Sequence, residues 1–557
     1  MPTTQCTQCS KSFKITDQDL DFYERLQVPQ PRLCPDCRFQ RRIVWRNERS
    51  LYARNCDLCK KPMISLYHPG SPYTVYCYDC WYSDKWNPLD FGQVIDWTKP
   101  FFEQFKALQL KVPRLYALMV NNENCEYTNG TQQCKDCYMI FASDHDEQCL
   151  YSYGTFNSVQ SMDLMSSTKC ELCYECIGCS NCYNVQYSED CSNCHSSMFL
   201  IDCKGSSDCF MSYGLRNRQY VWENQQLTAE EYKAKLAQLK WGNFQTIEKL
   251  REDFAQLKKK HIFKYYHGQN NENCSGDYLE RCASSEVCFE SFGIQNCKYV
   301  THGNQIKDTY DGYMNVDGVE LGYELVGAIG AYNVKFGVAY YGGRDCYYMD
   351  TAKQVNNSFG CVGVQNQQFC ILNQQYTEEE YYQLRDRLIE HMKQTGEWGE
   401  NFPIWCSPFA YNETAAQDMF PLNRADVERN GWEWYEPVTK EIKYSTYRLV
   451  GDISKVSDDV LKTFLTCEQC HKSYKIVATE LAFYRAQQVP LPRLCFECRH
   501  RRRLANRNPR ALWQRQCMCT QVDHGHGGVC ATTFETAYPA DNPTIVYCEN
   551  CYNQTVS

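Results

Sequence analysis

A spacing of three residues governs the apolar and polar positions of residues 121–232. Between Cys125 and Cys209 the chain holds 13 cysteines, every separation between them is a multiple of three, and Asn and Asp recur among them. Several cysteines also follow one another at twelve residues, as Cys170 and Cys182 do. Equivalent residues at a fixed short period are typical of stacked coils. The pattern predicts a β-solenoid whose inner wall carries ladders of thiols and whose turns carry Asn and Asp.

The solenoid module is duplicated. NNENC at Asn121–Cys125 recurs at Asn270–Cys274, and GLRNRQYVWENQQLTAEEY recurs as GVQNQQFCILNQQYTEEEY, both 149 residues later. Each copy closes on a threonine followed by glutamates, so Thr228 and Thr377 are expected to be helix N-caps. The second copy has lost most cysteines of the first and uses Gly, Val and Tyr instead, as in VDGVELGYELVGAIGAYNV.

That loss bears on the densest cysteine run, CELCYECIGCSNC at Cys170–Cys182. A solenoid wall tolerates replacement of a thiol by another small residue, whereas a metal cluster does not, so the wall is the favoured interpretation. The alternatives are additional zinc, disulfides and an iron–sulfur site. The iron–sulfur site is considered because Cys-x-x-Cys-x-x-Cys resembles part of a ferredoxin run. The stretch lacks the three-residue gap and the Cys-Pro that complete the ferredoxin pattern.

The two ends of the chain also repeat each other. CTQCSKSFKI at Cys6 returns as CEQCHKSYKI at Cys467, and VPQPRLCPDCRFQRR returns as VPLPRLCFECRHRRR, both 461 positions later. Two Cys-x-x-Cys pairs supply the four thiolates of a closed, tetrahedral, structural zinc site. A further set of paired cysteines follows in each copy, so we expect about four Zn2+ ions per chain. The predicted ligands are Cys6, Cys9, Cys34, Cys37, Cys56, Cys59, Cys77, Cys80, Cys467, Cys470, Cys495, Cys498, Cys517, Cys519, Cys548 and Cys551.

Two features of these ligands stay open at the level of sequence. Consecutive pairing is the simpler arrangement, but a cross-braced one has the same spacing. The last set is also irregular, because Cys517 and Cys519 are separated by one residue and a longer insertion follows them. That insertion holds His524, His526 and Cys530, which can replace or add ligands.

Arginines follow the second cysteine pair in each terminal copy, on a run expected to form a helix that starts at the metal. They are Arg38, Arg41, Arg42, Arg46 and Arg49, and Arg499, Arg502, Arg503, Arg507 and Arg510. Residues 467–516 hold 11 Lys and Arg against 3 Asp and Glu. A stripe of exposed guanidinium groups suits nucleic-acid phosphates. The alternative is that the arginines offset the thiolate charge and pair with the acidic middle, since residues 121–231 hold only 5 Lys and Arg against 16 Asp and Glu.

The predicted fold class is multidomain and mainly β, with two β-solenoid modules and their capping helices between terminal treble-clef or zinc-ribbon domains. The segments are a zinc-binding domain with two four-cysteine sites at 1–96, a helix at 97–120 that caps the first coil, solenoid modules with closing helices at 121–260 and 267–395, an aromatic linker at 396–460, and a second zinc-binding domain with two sites at 461–557. The linker is expected to pack against the protein, with its lone thiol, Cys406, buried.

Composition narrows the class of protein. The net charge of −9 argues against one large basic nucleic-acid surface, and no apolar run reaches membrane-spanning length. The start, MPTTQCTQCSKSFK, shows no apolar signal core, so we expect a cytoplasmic protein. In a reducing compartment its 38 cysteines indicate metal ligands or buried thiols.

The sequence shows no catalytic motif of the Gly-x-Ser-x-Gly, phosphate-loop or His-Glu-x-x-His type. Asp144, His145 and Asp146 are adjacent, so their side chains point to different faces of an extended chain.

The terminal motif, Cys-x-x-Cys followed by FY, VPxPRLC, Cys-x-x-CysR and RxxRN, resembles the treble-clef zinc-binding domain of large proteins from candidate-phyla bacteria. With NENC, the NCY-type repeats, the EEY helices and the GEWGENFPI…SPFAYNE segment, the resemblance covers nearly the whole chain. It implies zinc binding at the matching cysteines and implies no particular reaction.

The leading hypothesis is a non-enzymatic zinc-binding scaffold whose Arg-rich helices bind nucleic acid or a ribonucleoprotein. The alternatives are a protein-interaction scaffold without nucleic acid and a solenoid that binds or processes carbohydrate. An acidic solenoid would take a basic protein as its partner, and no membrane association is expected.

Overall fold

The structure is a computed structural model that describes residues 3–437 and 447–556, and the chain divides into two compact units. Unit 1 contains the N-terminal segment up to Ala117 together with residues 266–436 and 510–512. Unit 2 contains residues 118–265 and the C-terminal segments 437–509 and 513–557. The N-terminal cysteine-rich domain is therefore grouped with the second solenoid module, and the C-terminal one with the first.

Helices lie mainly at the ends of the modules and in the cysteine-rich domains. In unit 1 the α-helices are Asp17–Arg25, Pro35–Ile43, Tyr78–Trp81, Phe101–Lys111, Glu378–Thr395, Ala415–Met419 and Arg424–Arg429, with short 3-10 turns at Pro88–Phe91, Ile404–Cys406 and Tyr411–Glu413. In unit 2 they are Ala229–Ala237, Phe244–Lys258, Ala478–Ala486, Phe496–Ala505 and Glu549–Val556, with 3-10 turns at Ile453–Lys455, Asp458–Lys462 and Val522–His524. Thr228 and Thr377 cap their helices as predicted, each in a capping box.

Strands make up the solenoid walls and the small hairpins that hold the cysteines. Those of unit 1 are Thr3–Gln5, Ser12–Lys14, Tyr52–Asn55, Pro62–Ser65, Val75–Tyr76, Arg114–Leu115, Gly268–Gln269, Gly276–Glu280, Cys288–Phe292, Val326–Tyr332, Lys335–Asp350, Lys353–Phe359, Cys370–Ile371 and Gln374–Gln375. Those of unit 2 are Met119–Val120, Asn129–Gln132, Phe141–Asp144, Tyr183–Gln186, His195–Ile201, Ser207–Tyr213, Gln219–Trp222, Gln225–Gln226, Ile262–Lys264, Leu465–Thr466, Ser473–Tyr474, Trp513–Gln516, Thr533–Thr536 and Ile545–Tyr547.

Coils of twelve residues form both solenoid modules, as the cysteine spacing predicts. Parallel bridges in the first module join residues twelve positions apart, such as Glu123 with Lys135 and Lys135 with Glu147. Every third residue from Asn121 to Glu223 has a positive φ and forms a corner of the coil. Asn, Asp and Gly tolerate this left-handed backbone best and occupy many corners. The β-solenoid fold, with Asn and Asp at the turns, is confirmed.

The residue after each corner lies inside the coil and is usually Cys, Ser or Thr in the first module. The thiol or hydroxyl group of this inward residue donates its hydrogen to backbone carbonyl oxygens. The thiol of Cys173 lies 3.4 Å from the carbonyl oxygen of Glu171 and 3.5 Å from that of Cys182 in the next coil. The hydroxyl of Ser188 donates in the same way to Gln186 at 2.8 Å. Cysteine and serine are therefore nearly interchangeable here, because both are small and both reach the same acceptor.

Two changes of register distinguish the second module. The pairing step shortens to eleven residues where Gly268 meets Leu279, and lengthens to thirteen where Lys307 meets Glu320. The two changes cancel, so the offset of 149 between the modules holds at both ends but falls to 148 between the slips. This difference decides which corner residues of the two modules are equivalent.

The helix Phe101–Lys111 packs on the second module, so the prediction that it caps the first coil is wrong. The Phe101 ring lies 5.3 Å from both Tyr348 and Phe359, measured between ring centroids. The carboxylate of Glu397 accepts hydrogen bonds from the first backbone N–H groups of the helix at 2.8 Å. An aromatic face and a helix-capping acid in unit 1 thus determine where this helix docks.

The aromatic segment 396–436 packs as predicted. Phe402 and Cys406 are fully buried, and Tyr411 is 1% exposed. The remainder of the predicted linker includes residues 438–446, which lie outside the described residues. Among the described residues, no helix combines the length and apolar character needed to span a bilayer.

Candidate metal centres and the arginine contacts beside them

Three of the predicted cysteine tetrads assemble from consecutive pairs. They are Cys6, Cys9, Cys34 and Cys37; Cys56, Cys59, Cys77 and Cys80; and Cys467, Cys470, Cys495 and Cys498. Within each tetrad all four sulfurs lie within 4.8 Å of one another, and close pairs are 3.6–3.7 Å apart. A tetrahedron of Zn–S bonds of about 2.3 Å requires sulfurs about 3.8 Å apart. The donor sets fit a tetrahedral metal ion, and in these three tetrads the consecutive cysteine pairs come together.

A tight backbone turn brings the first two sulfurs of each tetrad together. The N–H of Ser10 donates to the carbonyl of Cys6 at 3.0 Å, and Ser10 has a φ of 60°. Lys60 and His471 occupy the equivalent places in the other two tetrads, with φ values of 64° and 59°. The second pair sits at a helix start, since Cys34 is the N-cap residue of Pro35–Ile43. The helix therefore begins at the second cysteine pair, where the sequence places it.

Backbone N–H groups favour the thiolate form at the first cysteine of each of these tetrads. Burial by itself raises the pKa of Cys56, but N–H donors of Cys77, Cys59 and Leu58 outweigh it and bring the pKa to about 6. The same balance, burial against backbone donors, brings the pKa of Cys467 to about 6. A lower thiol pKa reduces the competition between protons and metal at neutral pH.

The fourth tetrad differs from the prediction. Cys517, Cys548 and Cys551 come together with Cys530, not with Cys519. The reason is the insertion: the strands Trp513–Gln516 and Thr533–Thr536 pair antiparallel, which returns Cys530 to the side of Cys517. Cys519 lies beyond the strand and belongs to a second group with His524, His526 and Cys551.

The arginines of the N-terminal helix are buried against acidic corners of the second solenoid module. Asp311 accepts hydrogen bonds from Arg38 at 2.9 Å and from Arg42 at 3.0 Å, and all three side chains are at most 2% exposed. Arg41 lies 2.7 Å from Glu324, whose side chain is fully buried. We call this set of ion pairs the arginine clasp of unit 1.

Unit 2 has the same clasp between the C-terminal helix and the first module. Asp163 lies 3.0 Å from Arg499 and 2.7 Å from Arg503. Glu175 lies 2.6 Å from Arg502. The three arginines are the 461-residue repeats of those in unit 1, and the two acids stand one coil apart in each module.

The acids of the two clasps are not among the site residues predicted from the sequence. They are Asp163 and Glu175 in the first module and Asp311 and Glu324 in the second. A signal was present, because all four are corner residues with positive φ and each Asp precedes its Glu by one coil. Glu324 keeps the offset of 149 from Glu175, but Asp311 lies between the register changes at an offset of 148 from Asp163, so a comparison at a constant offset finds only the glutamate.

Two members of the clasps, Arg38 and Glu175, show how an ion pair offsets burial, whereas burial prevails at Glu324 and raises the pKa of its carboxyl. Burial opposes the charge of Arg38, but the Asp311 carboxylate outweighs it and raises the pKa of the guanidinium well above its usual value. Burial likewise opposes the charge of Glu175, but Arg502 and Arg251 outweigh it and lower the pKa of this carboxyl. Removing either partner would leave an unpaired charge in a buried site, which is strongly unfavourable.

The expectation of an exposed arginine stripe is wrong. The helices end at Ile43 and Ala505, before the last two arginines of each run. Beyond the first helix, Arg46 lies 3.6 Å from Glu48, and Arg49 lies 2.6 Å from Asp418. In the other copy Arg507 is half-buried, and Arg510 pairs with Glu290. The solenoid modules supply most of the carboxylates that pair with these guanidinium groups, which supports the ion-pairing part of the alternative interpretation.

Nearly all the solenoid cysteines are buried inside the coils. Within residues 3–437 and 447–556, sets of three or more ligand atoms at mutual ligand distance occur only among the terminal cysteines and histidines. The run Cys170–Cys182 is instead part of a buried apolar cluster with Leu164 and Val185. The structure supports the wall interpretation of the ladder.

Replacing three ladder cysteines by serine should therefore leave metal content unchanged. We expect Cys173→Ser/Cys176→Ser/Cys179→Ser to lose less than about 2 kcal/mol of unfolding free energy per site, because serine reaches the same carbonyls. Mass spectrometry would count the ions, and urea unfolding would give the stability. Loss of an ion in this variant, or visible absorbance in the parent protein that disappears in the variant, would show that the ladder binds metal.

No protein-family model and no curated protein matches the chain. Among solved structures, one from Desulfovibrio desulfuricans G20, described as an acetyltransferase, matches 42% of this chain and 66% of its own, slightly less than two thirds. The sequence identity is 8% and the TM-score is 0.10. A superposition this poor defines no shared fold.

Proposed function

We propose that this protein is a zinc-dependent structural scaffold, in which four cysteine tetrads each hold one Zn2+ ion and lock a terminal domain onto a solenoid module. The observation that carries the proposal is that a cysteine tetrad and an arginine clasp share one short helix. Cys34 and Cys37 close the tetrad, and Arg38, Arg41 and Arg42 follow them directly into the clasp. The metal therefore determines where the guanidinium groups point.

This arrangement explains why the arginines need a rigid base. A buried ion pair is favourable only when its geometry is good, since the desolvation cost is incurred regardless. A helix of nine residues is only marginally stable by itself. Anchoring its first turn to a tetrahedral centre holds the arginines at the solenoid corners. The C-terminal copy repeats the arrangement with Cys495 and Cys498 beside Arg499.

The donor sets favour zinc in a structural role. Four thiolates fill all positions of a tetrahedral ion, which is typical of structural zinc and leaves no open position for a substrate. This supports a non-enzymatic scaffold. Nucleic acid is not part of the proposal, because most of the arginines that suggested it lie in ion pairs within the protein. Exposed acids of the first coils, such as Glu123, Glu126 and Glu147, support a basic protein as the partner.

Metal analysis of the whole chain tests the proposal. Protein purified without oxygen should contain at least four zinc ions per chain and show no visible absorbance, as measured by elemental and native mass spectrometry. Cys34→Ser should lose one ion, whereas Cys406→Ser, which removes a buried thiol outside every tetrad, should lose none. Iron in place of zinc, or fewer than four ions in the parent protein, would contradict the proposal.

A further inference from the structure

The C-terminal domain contains more potential ligands than one metal ion can use. Cys517, Cys530, Cys548 and Cys551 form one tetrad, and Cys519, His524, His526 and Cys551 form another. In each set every ligand atom lies within 4.8 Å of the others. The only shared atom is the sulfur of Cys551. We infer that this domain holds a pair of zinc ions bridged by the Cys551 thiolate, an inference that rests on the proposed zinc-binding function.

The second set has the geometry of metal ligands. The Sγ atom of Cys519 lies 3.2 Å from Nδ1 of His524. The Sγ atom of Cys551 lies 3.5 Å from Nε2 of His526. Cys519 is fully buried and His524 is 8% exposed. Two thiols and two imidazoles that converge on one point form a common zinc donor set, the one found in many zinc fingers.

A backbone contact fixes the orientation of one imidazole. Nδ1 of His526 lies 2.7 Å from the carbonyl oxygen of Gly528. A nitrogen that faces a carbonyl carries the proton, so Nε2 presents its lone pair toward Cys551. Metal-binding histidines commonly donate their other N–H to such a carbonyl, which sets the tautomer and the ring direction.

Charge also favours two ions over one. A single divalent ion in four thiolates carries a net charge of about −2 and leaves Cys519 as a separate thiol beside it. Two ions that share five thiolates carry about −1 in total, because the bridging sulfur serves both ions. The pair therefore reduces the excess negative charge within a buried cluster.

The N-terminal copy shows what the insertion adds. Its tetrad of Cys56, Cys59, Cys77 and Cys80 stands alone among the described residues, with no histidine in the set. The C-terminal copy differs by the longer segment after Cys519, and that segment supplies His524, His526 and Cys530. One copy is thus a single-ion centre, and the other acquires a second centre by insertion.

Counting ions in zinc-loaded protein tests the inference. Native mass spectrometry of the full chain should find five zinc ions, one for each ligand group. His524→Ala/His526→Ala should bind one ion fewer, and the control His145→Ala/His195→Ala, which changes two exposed histidines of the first module, should bind as many as the parent. Four ions in both the parent and the His524/His526 variant would overturn the inference and leave the proposed function intact. Fewer than four ions in the parent would contradict both.

A second measurement needs no variant. In protein loaded with cadmium enriched in its NMR-active isotope, two ions that share the Cys551 sulfur should show a scalar coupling to each other through that sulfur, and the isolated tetrads should show none. Five uncoupled cadmium signals would contradict the bridge. Four signals would show that the second group binds no metal.

Discussion

Replacing Asp311 by asparagine should lower the unfolding free energy of unit 1 by about 3–5 kcal/mol. Asp311 is the common partner of Arg38 and Arg42, and none of the three side chains is more than 2% exposed. The substitution keeps the size of the side chain and an oxygen acceptor but removes the charge. Two guanidinium groups would then remain buried without the negative charge that balances them. A buried charge without its partner is strongly destabilising.

The matched control for this variant is Asp317→Asn. Asp317 lies in the same module, is exposed, and has a φ of 54° against 59° for Asp311. Asparagine suits such a backbone, so the control should change the stability by less than about 0.5 kcal/mol.

Hydrogen exchange measured by mass spectrometry would show which unit is destabilised. Asp311→Asn should increase exchange in residues 35–43, and Asp163→Asn should do so in residues 496–505. An Asp311→Asn protein as stable as its Asp317→Asn control would show that the clasp contributes little.

Loss of the first zinc site should have a larger effect than loss of the clasp acid. Structural zinc in small domains contributes about 10–16 kcal/mol of apparent binding free energy at neutral pH. Cys34→Ser removes one of four thiolates at the N-cap of the helix Pro35–Ile43. We expect the helix to detach, the arginines to leave Asp311, and unit 1 to melt at a clearly lower temperature, with fast exchange over residues 3–50.

Cys406→Ser is the control for that experiment, since Cys406 is fully buried in unit 1 but belongs to no tetrad. It should keep its metal and nearly all of its stability. Addition of a chelator to the parent protein should destabilise unit 1 at least as much as Cys34→Ser does, because it empties every tetrad. If Cys34→Ser and the parent melted together, with and without chelator, the tetrad would have no structural role.

Several features of the protein follow from local residue pattern, and these were predictable. A corner every third residue depends on which residues accept a positive φ, and the inward position between corners favours small side chains. The period of three and the step of twelve therefore appear directly in the cysteine spacing. The three regular tetrads are equally local, because Cys-x-x-Cys in a tight turn and Cys-x-x-Cys at a helix start each present two sulfurs together.

The fourth tetrad shows where local pattern stops being sufficient. Cys530 and Cys519 are both near Cys517 in the sequence, and only the pairing of two strands selects Cys530. The positions of the arginines show the same limit. Their helical spacing is compatible with an exposed stripe or a buried one, and the partner that decides between them lies hundreds of residues away.

The sequence by itself determined the repeating coil, the paired cysteines and the two duplications, since each depends on residues that are close together or repeat at a constant offset. Only the tertiary structure decided which terminal domain meets which module, where the connecting helix docks, and that the arginines are buried. Those outcomes depend on how two large surfaces fit together, since two guanidinium groups must reach one buried carboxylate. A match of that kind is set by the register of distant coils, and a change of one residue in that register moves the acid without changing the local pattern.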